Sequence, residues 1–318
     1  MSADGAALGE RLRAGDLQAA PAALNLLEST TEDDREQSRA LLREVSPAAL
    51  GGEAKAHVIG VTGPPGAGKS TLLSTLVRAW RHDGRTVAVL AVDPSSRLSG
   101  GSLLGDRARL DVDPSDRGVL IRSTAAGERP GGLAAATRAA AQALAAAFDV
   151  VVIETVGVGQ AETEVAEVAD TVAVVVQPGS GDVLQFLKAG IMEIPDVLVV
   201  TKADLGRIAT RTRRDVSAAL RSLGCGRVPV LAVSSLPPVT GIDELVGALD
   251  EHRGGLDLAS RRLAARREGA LTDFALQYGE WGLRALGGRR AARSLLAEQD
   301  PGLETPALVE VLERGLPR

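Results

Sequence analysis

Seven short runs of β-branched and aliphatic residues recur through the middle of this 318-residue chain: HVIGV (57–61), TVAVLAV (86–92), VLIRS (119–123), VVVIE (150–154), TVAVVVQ (171–177), VLVVT (197–201) and VPVLAV (228–233). They are apolar almost throughout rather than alternating, the pattern of strands buried on both faces. Longer Ala- and Leu-rich stretches such as Gly132 to Ala147 and Val183 to Glu193 lie between them and read as helices. Strand and helix repeating on this scale predict an α/β fold with a doubly wound, mostly parallel sheet. Residues 1 to about 50 read instead as helices, from Ala6 to Ala14, Leu17 to Glu28 and about Glu32 to Val45, closed by Ser46-Pro47 and Gly51-Gly52. After about Gly254 the strand signals stop and the remainder reads as helical. The expected organisation is an N-terminal helical segment (1–53), an α/β domain (54–253) and a C-terminal helical segment (254–318).

Composition narrows the partners. With 36 basic and 41 acidic residues the formal charge is −5, which gives no global attraction for nucleic acid or an anionic membrane. Six aromatic side chains are too few for base-stacking platforms. One cysteine, Cys225, excludes an intrachain disulfide framework and a Cys-based metal cage, and the dispersed His57, His82 and His252 do not replace it. The first residues lack an apolar signal core, and no apolar stretch approaches the ~20 residues of a membrane span. A cytoplasmic protein with neither a nucleic-acid nor a membrane partner is the expectation.

The sharpest local signal is Gly63, Pro64, Pro65, Gly66, Ala67, Gly68, Lys69 and Ser70, a full match to G-x-x-x-x-G-K-S/T. It follows the run HVIGV and opens an apolar-periodic helix, the context that a phosphate-binding loop requires. Glycines let backbone N–H groups converge on phosphate, and the helix N-terminus adds partial positive charge. Lys69 then reaches the β- and γ-oxygens, and Ser70 offers its hydroxyl to Mg2+. Thr71 completes the expected phosphate contacts.

Carboxylates for metal and water belong at the carboxyl ends of neighbouring strands. Asp93 ends TVAVLAV, Glu154 ends VVVIE, and Asp106 lies in the loop-like stretch from Ser99 to Arg107. Glu154 to Gly157 has the form of a D-x-x-G γ-phosphate sensor with Glu for Asp, in which Gly157 permits close approach of its N–H. Thr201-Lys202-Ala203-Asp204 follows VLVV and resembles the guanine-reading N-K-x-D. An Asp there accepts guanine N1–H and N2–H together, a match adenine does not offer, while the Lys202 stem packs along the base. Ser234, Ser235 and Leu236 follow the last run, where a backbone N–H meets guanine O6. The order favours GTP over ATP; a mere ion pair between Lys202 and Asp204 is the alternative.

Val92 to Ser96, Ser99 to Arg107, Glu154 to Gln160 and Gly190 to Glu193 together resemble the methylmalonyl-CoA mutase-associated GTPases, also labelled the LAO/AO transport ATPase family, over roughly residues 20 to 250. The resemblance implies a SIMIBI-class P-loop GTPase, a Mg2+-dependent hydrolase of GTP to GDP. It implies a chaperone for an adenosylcobalamin-dependent acyl-CoA mutase that gates cofactor loading and protects the enzyme. It carries Asp93, Asp106 and Glu154 over as the Mg2+ and water shell and Gln185 and Lys188 as a further switch facing the client. It also implies a homodimer through the C-terminal helices. Thr201 departs from the family's Asn and weakens one base or loop contact. Gly127 to Gly132 and Arg97-Leu98 also depart from the family's pattern.

Two other classes compete with this reading. A nickel metallochaperone GTPase fits the fold but is poor in soft or imidazole ligands. A P-loop kinase using ATP would need an acceptor site, for which the sequence offers no motif. Arg207, Arg211, Arg213 and Arg214, and again Arg261, Arg262, Arg266 and Arg267, read as solvated helix faces. Phe274, Tyr278 and Trp281 recur at i, i+4 and i+7, so one helix face is expected to carry all three, as an intrachain seam or a dimer contact.

Overall fold

The computed structural model describes residues 4–29, 31–94, 110–126, 135–155, 161–179 and 195–317, with 93–94, 125–126 and 161–164 described by backbone alone. Asp106, Gly157, Gln185, Lys188, the expected helix from Val183 to Glu193 and the Asp93 side chain lie outside this description.

All seven predicted strands form: β1 (His57–Thr62), β2 (Val87–Pro94), β3 (Val119–Ala126), β4 (Val150–Thr155), β5 (Thr171–Val176), β6 (Val197–Val200) and β7 (Val230–Ala232). They pair in the order β3-β2-β4-β1-β5-β6-β7, every pair parallel, so the sheet is wholly parallel. β1, β4 and β5 are buried at every position, which is why their sequences do not alternate.

The helices are α1 (Gly5–Arg13), α2 (Ala20–Glu28), α3 (Glu32–Glu44), α4 (Pro47–Leu50), α5 (Lys69–His82), α6 (Ala135–Ala145), α7 (Ala161–Val168), α8 (Arg207–Ser222), α9 (Ile242–Gly254), α10 (Leu258–Ala285), α11 (Arg289–Ala297) and α12 (Thr305–Arg314). The expected helix from Leu17 to Glu28 is divided: Leu17–Ala19 is a 3-10 turn capped by Asp16, and α2 follows with Pro21 in its first turn. Proline fits there because the N–H it lacks would have no intrahelical partner.

The chain divides into two compact units. One, His57–Thr137 with Phe148–Leu256, holds the sheet. Ile59 and Val61 of β1 pack with Leu72, Leu73, Leu76 and Trp80 of α5 and with Leu245 and Leu249 of α9. Trp80 is fully buried, so truncating it to Ala would cost about 3–5 kcal/mol. This core fixes where α5 begins, and hence where the loop before it sits.

The other unit joins Met1–Ala56, Arg138–Ala147 and Asp257–Arg318. Arg266 forms a two-bond pair with Glu53, and Arg262 donates to the carbonyls of Ala54 and Ala56. Arg138 pairs with Asp273. Phe274, Leu283, Leu296, Leu308 and Leu312 form its C-terminal core.

The expected shared face of Phe274, Tyr278 and Trp281 does not form. Gly279 sits inside α10 at φ 63°, ψ −165°, outside helical geometry. Its positive φ is open to glycine without a Cβ clash, so the helix kinks there. Phe274 is buried with its ring 4.9 Å from that of Tyr278, whereas Trp281 beyond the kink is 60% exposed. Among the described residues no helix is long and apolar enough to cross a membrane.

Candidate functional site

The loop from Gly63 to Gly68 leaves the carboxyl end of β1 and enters α5 at Lys69. Gly63 has φ 145°, and a Cβ built on it would lie 2.1 Å from the carbonyl oxygen of Val175 on β5. Any side chain would therefore push the loop off the sheet. Gly68, at φ 88°, is the N-cap residue of α5 and offers no side chain to cap it. The helix's first N–H groups are thus left for a ligand, the arrangement that suits phosphate.

Lys69 is buried, and its Nζ donates to the carbonyl oxygens of Gly63 at 2.7 Å and Pro64 at 3.2 Å. The ammonium is held over the loop it belongs to. Beside it, Ser70 Oγ donates to Glu154 Oε1 at 3.1 Å. Glu154 is buried and stands opposite Val61 in the β1–β4 register. A hydroxyl and a carboxylate in contact at the head of a phosphate loop are two hard oxygen donors, the set that Mg2+ prefers. Thr155 Oγ1 donates to Thr62 Oγ1 at 2.9 Å, tying the ends of the same two strands together.

The segment expected to read the base lies two strands away, after β6. Thr201 is buried, and its Oγ1 lies 2.6 Å from the carbonyl oxygen of Ala67 and 3.2 Å from that of Val176. The threonine thus makes a loop contact of its own, where the sequence suggests that one base or loop contact weakens. Lys202, at φ 52°, sends Nζ to Gly66 O at 3.1 Å and to Gln177 Oε1 at 2.6 Å. Ser234 Oγ lies 3.3 Å from Asp204 Oδ1 and 3.0 Å from Leu236 O, and Ala203 N donates to Val233 O. Asp204 and Leu236 are exposed, so the surfaces that would meet a base are open. The described candidates are therefore brought together at the carboxyl edge of one sheet, where parallel sheets bind ligands.

The sequence marks Gln177 only as the end of a strand run. Its signal was present: a polar residue closing an apolar run at the carboxyl edge of β5, next to β1.

A wholly parallel α/β sheet carrying a glycine-rich loop, a buried lysine and a serine–carboxylate pair defines a P-loop nucleotide-binding protein. The chain belongs to the family described as methylmalonyl Co-A mutase-associated GTPase MeaB, whose model matches residues 20–278. A protein from Pyrococcus abyssi is 42% identical over 266 residues, 81% of this chain and 79% of its own length. The mouse protein named methylmalonic aciduria type A homolog, mitochondrial, is 36% identical over 262 residues, covering 77% of this chain and 62% of its own. The crystal structure of an LAO/AO transport system kinase superposes with TM-score 0.66 at 29% identity, covering 98% of this chain and 96% of that one.

Proposed function

We propose that this chain binds GTP, hydrolyses it to GDP and phosphate with Mg2+, and uses its nucleotide state to govern docking on an adenosylcobalamin-dependent acyl-CoA mutase, gating cofactor loading and protecting the enzyme. The observation that carries the hydrolytic part is the contact of Ser70 with Glu154 beside the buried Lys69. Lys69 gives up two loop carbonyls to face phosphate, Ser70 and Glu154 hold the metal, and Asp204 reads the base. Mg2+ bound there would supply positive charge against the phosphate oxygens. Asp93, Asp106 and Gly157 complete the proposed metal and water shell, and Gln185 and Lys188 the client switch. The mutase reading is supported by the family's description, which names methylmalonyl Co-A mutase. Exposed Trp281 and Leu276 on α10 suit the proposed homodimer, in which a second copy would cover them.

Two measurements test the proposal. Phosphate release should occur from GTP in preference to ATP and only with Mg2+; equal rates from both nucleotides would remove the guanine assignment. A pull-down with a non-hydrolysable GTP analogue should retain a cobalamin-dependent mutase that the GDP form releases. Retention independent of nucleotide would overturn the switch.

A further inference from the structure

The two arginine clusters of the sequence meet different fates in the fold. In α10, Arg262 and Arg266 are engaged by Ala54, Ala56 and Glu53, and Arg267 donates to the carbonyl of Ala297. In α8, Arg207, Arg211, Arg214 and Arg221 recur at i, i+4, i+7 and i+14. They share one face, opposite the buried seam of Ala209, Val216 and Leu220. All four are exposed, and among the described residues only Arg211 has an ion-pair partner, Asp215 at 3.7 Å.

A helix face that needs only solvation does not take this form. Arg207 and Arg211, and Arg211 and Arg214, are like charges at the two spacings where they repel, a cost of tenths of a kcal/mol per pair (~0.2–0.5). The first turn of α8 holds no acid, so Arg207 stands at the end of the helix where positive charge is disfavoured. Some exposed arginines elsewhere do find carboxylates, as Arg11 does with Asp16, Arg78 with Asp111 and Arg293 with Glu268. Local charge rules broken together, in a chain of net charge −5, mark a surface kept for a partner.

We infer that the outer face of α8 is a docking surface for a partner protein that presents a row of carboxylates. Guanidinium groups meet carboxylates through paired hydrogen bonds, and four spaced along one face fit acids spaced along another. Leu205, in the turn just before the helix, and Ile208 in its first turn, 46% and 54% exposed, supply the apolar anchor such an interface uses beside its charges. The same residues argue against other anionic surfaces. No aromatic side chain stands on the face to stack a base, and the continuous apolar stripe that a membrane-surface helix would insert is turned inward in α8.

The test is binding of a fluorescein-labelled polyglutamate peptide to the full chain, followed by anisotropy, against poly-uridine RNA and phosphatidylglycerol vesicles. The wild type should bind polyglutamate with an affinity that falls as salt rises. The variant carrying Arg207→Gln, Arg211→Gln, Arg214→Gln and Arg221→Gln should lose roughly tenfold or more. Its melting temperature should stay close to that of the wild type, since the replaced side chains are exposed and the one ion pair lost, Arg211 with Asp215, is a surface pair. Replacement of the same four by Lys should retain the salt dependence with weaker binding, because the paired hydrogen bonds are lost. Affinity within about twofold of wild type in the Gln variant would overturn the proposal, as would RNA or vesicles binding more tightly than the peptide.

Discussion

Thr201 on the segment after β6 and Ala67 in the phosphate loop are joined by a hydrogen bond of 2.6 Å, hydroxyl to carbonyl. One short side chain thus ties the proposed base-reading segment to the phosphate-binding one. Thr201→Val keeps the shape and removes the donor, leaving the Ala67 carbonyl unsatisfied at a cost of about 1–3 kcal/mol. Expected outcomes are a lower melting temperature and weaker binding of a fluorescent GDP analogue. Thr201→Ser should restore both. Unchanged nucleotide affinity in the valine variant would show that the tie does not organise the site.

Lys69 is held by two carbonyls of the loop it serves, at 2.7 and 3.2 Å. Charge-assisted hydrogen bonds of an ammonium to phosphate are individually strong, so Lys69→Ala should weaken triphosphate binding by about 3 kcal/mol, on the order of a hundredfold. Titration with a fluorescent GTP analogue reads this directly. Affinity within a few fold of wild type would refute the assignment of Lys69 to phosphate.

The strands were legible because both faces of the sheet are covered, and such strands carry no polar alternation to confuse with a helix. The phosphate loop was legible because its spacing is tied to the chemistry of one ligand group. What escaped depended on contacts distant in sequence or on a local break. Gln177 meets Lys202 across 25 positions, which no local pattern records. Trp281 was placed with Phe274 and Tyr278 by a period that holds only for an unbroken helix, and Gly279 breaks it. The bond from Arg262 to the carbonyl of Ala56 crosses 206 positions, so the union of N- and C-terminal helices in one unit was equally hidden.

Asp204 is exposed, and one of its oxygens, Oδ1, accepts from Ser234 at 3.3 Å. Asp204→Asn retains an acceptor for that serine and changes the charge that would face the base. Guanine presents two donors to this position, whereas xanthine presents a carbonyl in place of one of them. The variant should therefore bind GTP roughly tenfold or more weakly and gain affinity for XTP, as expected when a hydrogen-bond match to the base is altered. Competition of the two nucleotides against a fluorescent GDP analogue measures the exchange. Strong preference for GTP over XTP in the variant would remove Asp204 from base recognition.

His57 opens β1 at the edge of the sheet opposite the phosphate loop. Its Nε2 lies 2.8 Å from Thr171 Oγ1, which lies 2.8 Å from His252 Nδ1, and His252 Nε2 is 3.1 Å from Asp196. Asp250 stands 3.9 Å from the other ring nitrogen of His57, and Arg85 engages that same carboxylate. Burial of the ring lowers the His57 pKa from 6.5 to about 4, against the pull of Asp170 and Asp250. The folded ring is therefore neutral where the unfolded ring already binds a proton. Stability must fall as pH drops from about 6.5 to about 4, and is level in this respect outside that window. The shift amounts to at most about 3 kcal/mol. His57→Gln has no proton to gain, so the stability difference between wild type and variant should shrink by up to that amount across the window. Comparing the two proteins cancels the carboxylates, Asp273 and Glu304 among them, whose raised pKa acts in the opposite sense. Urea unfolding of both at several pH values supplies the measurement; parallel curves would show that His57 is protonated in the folded chain as readily as in the unfolded one.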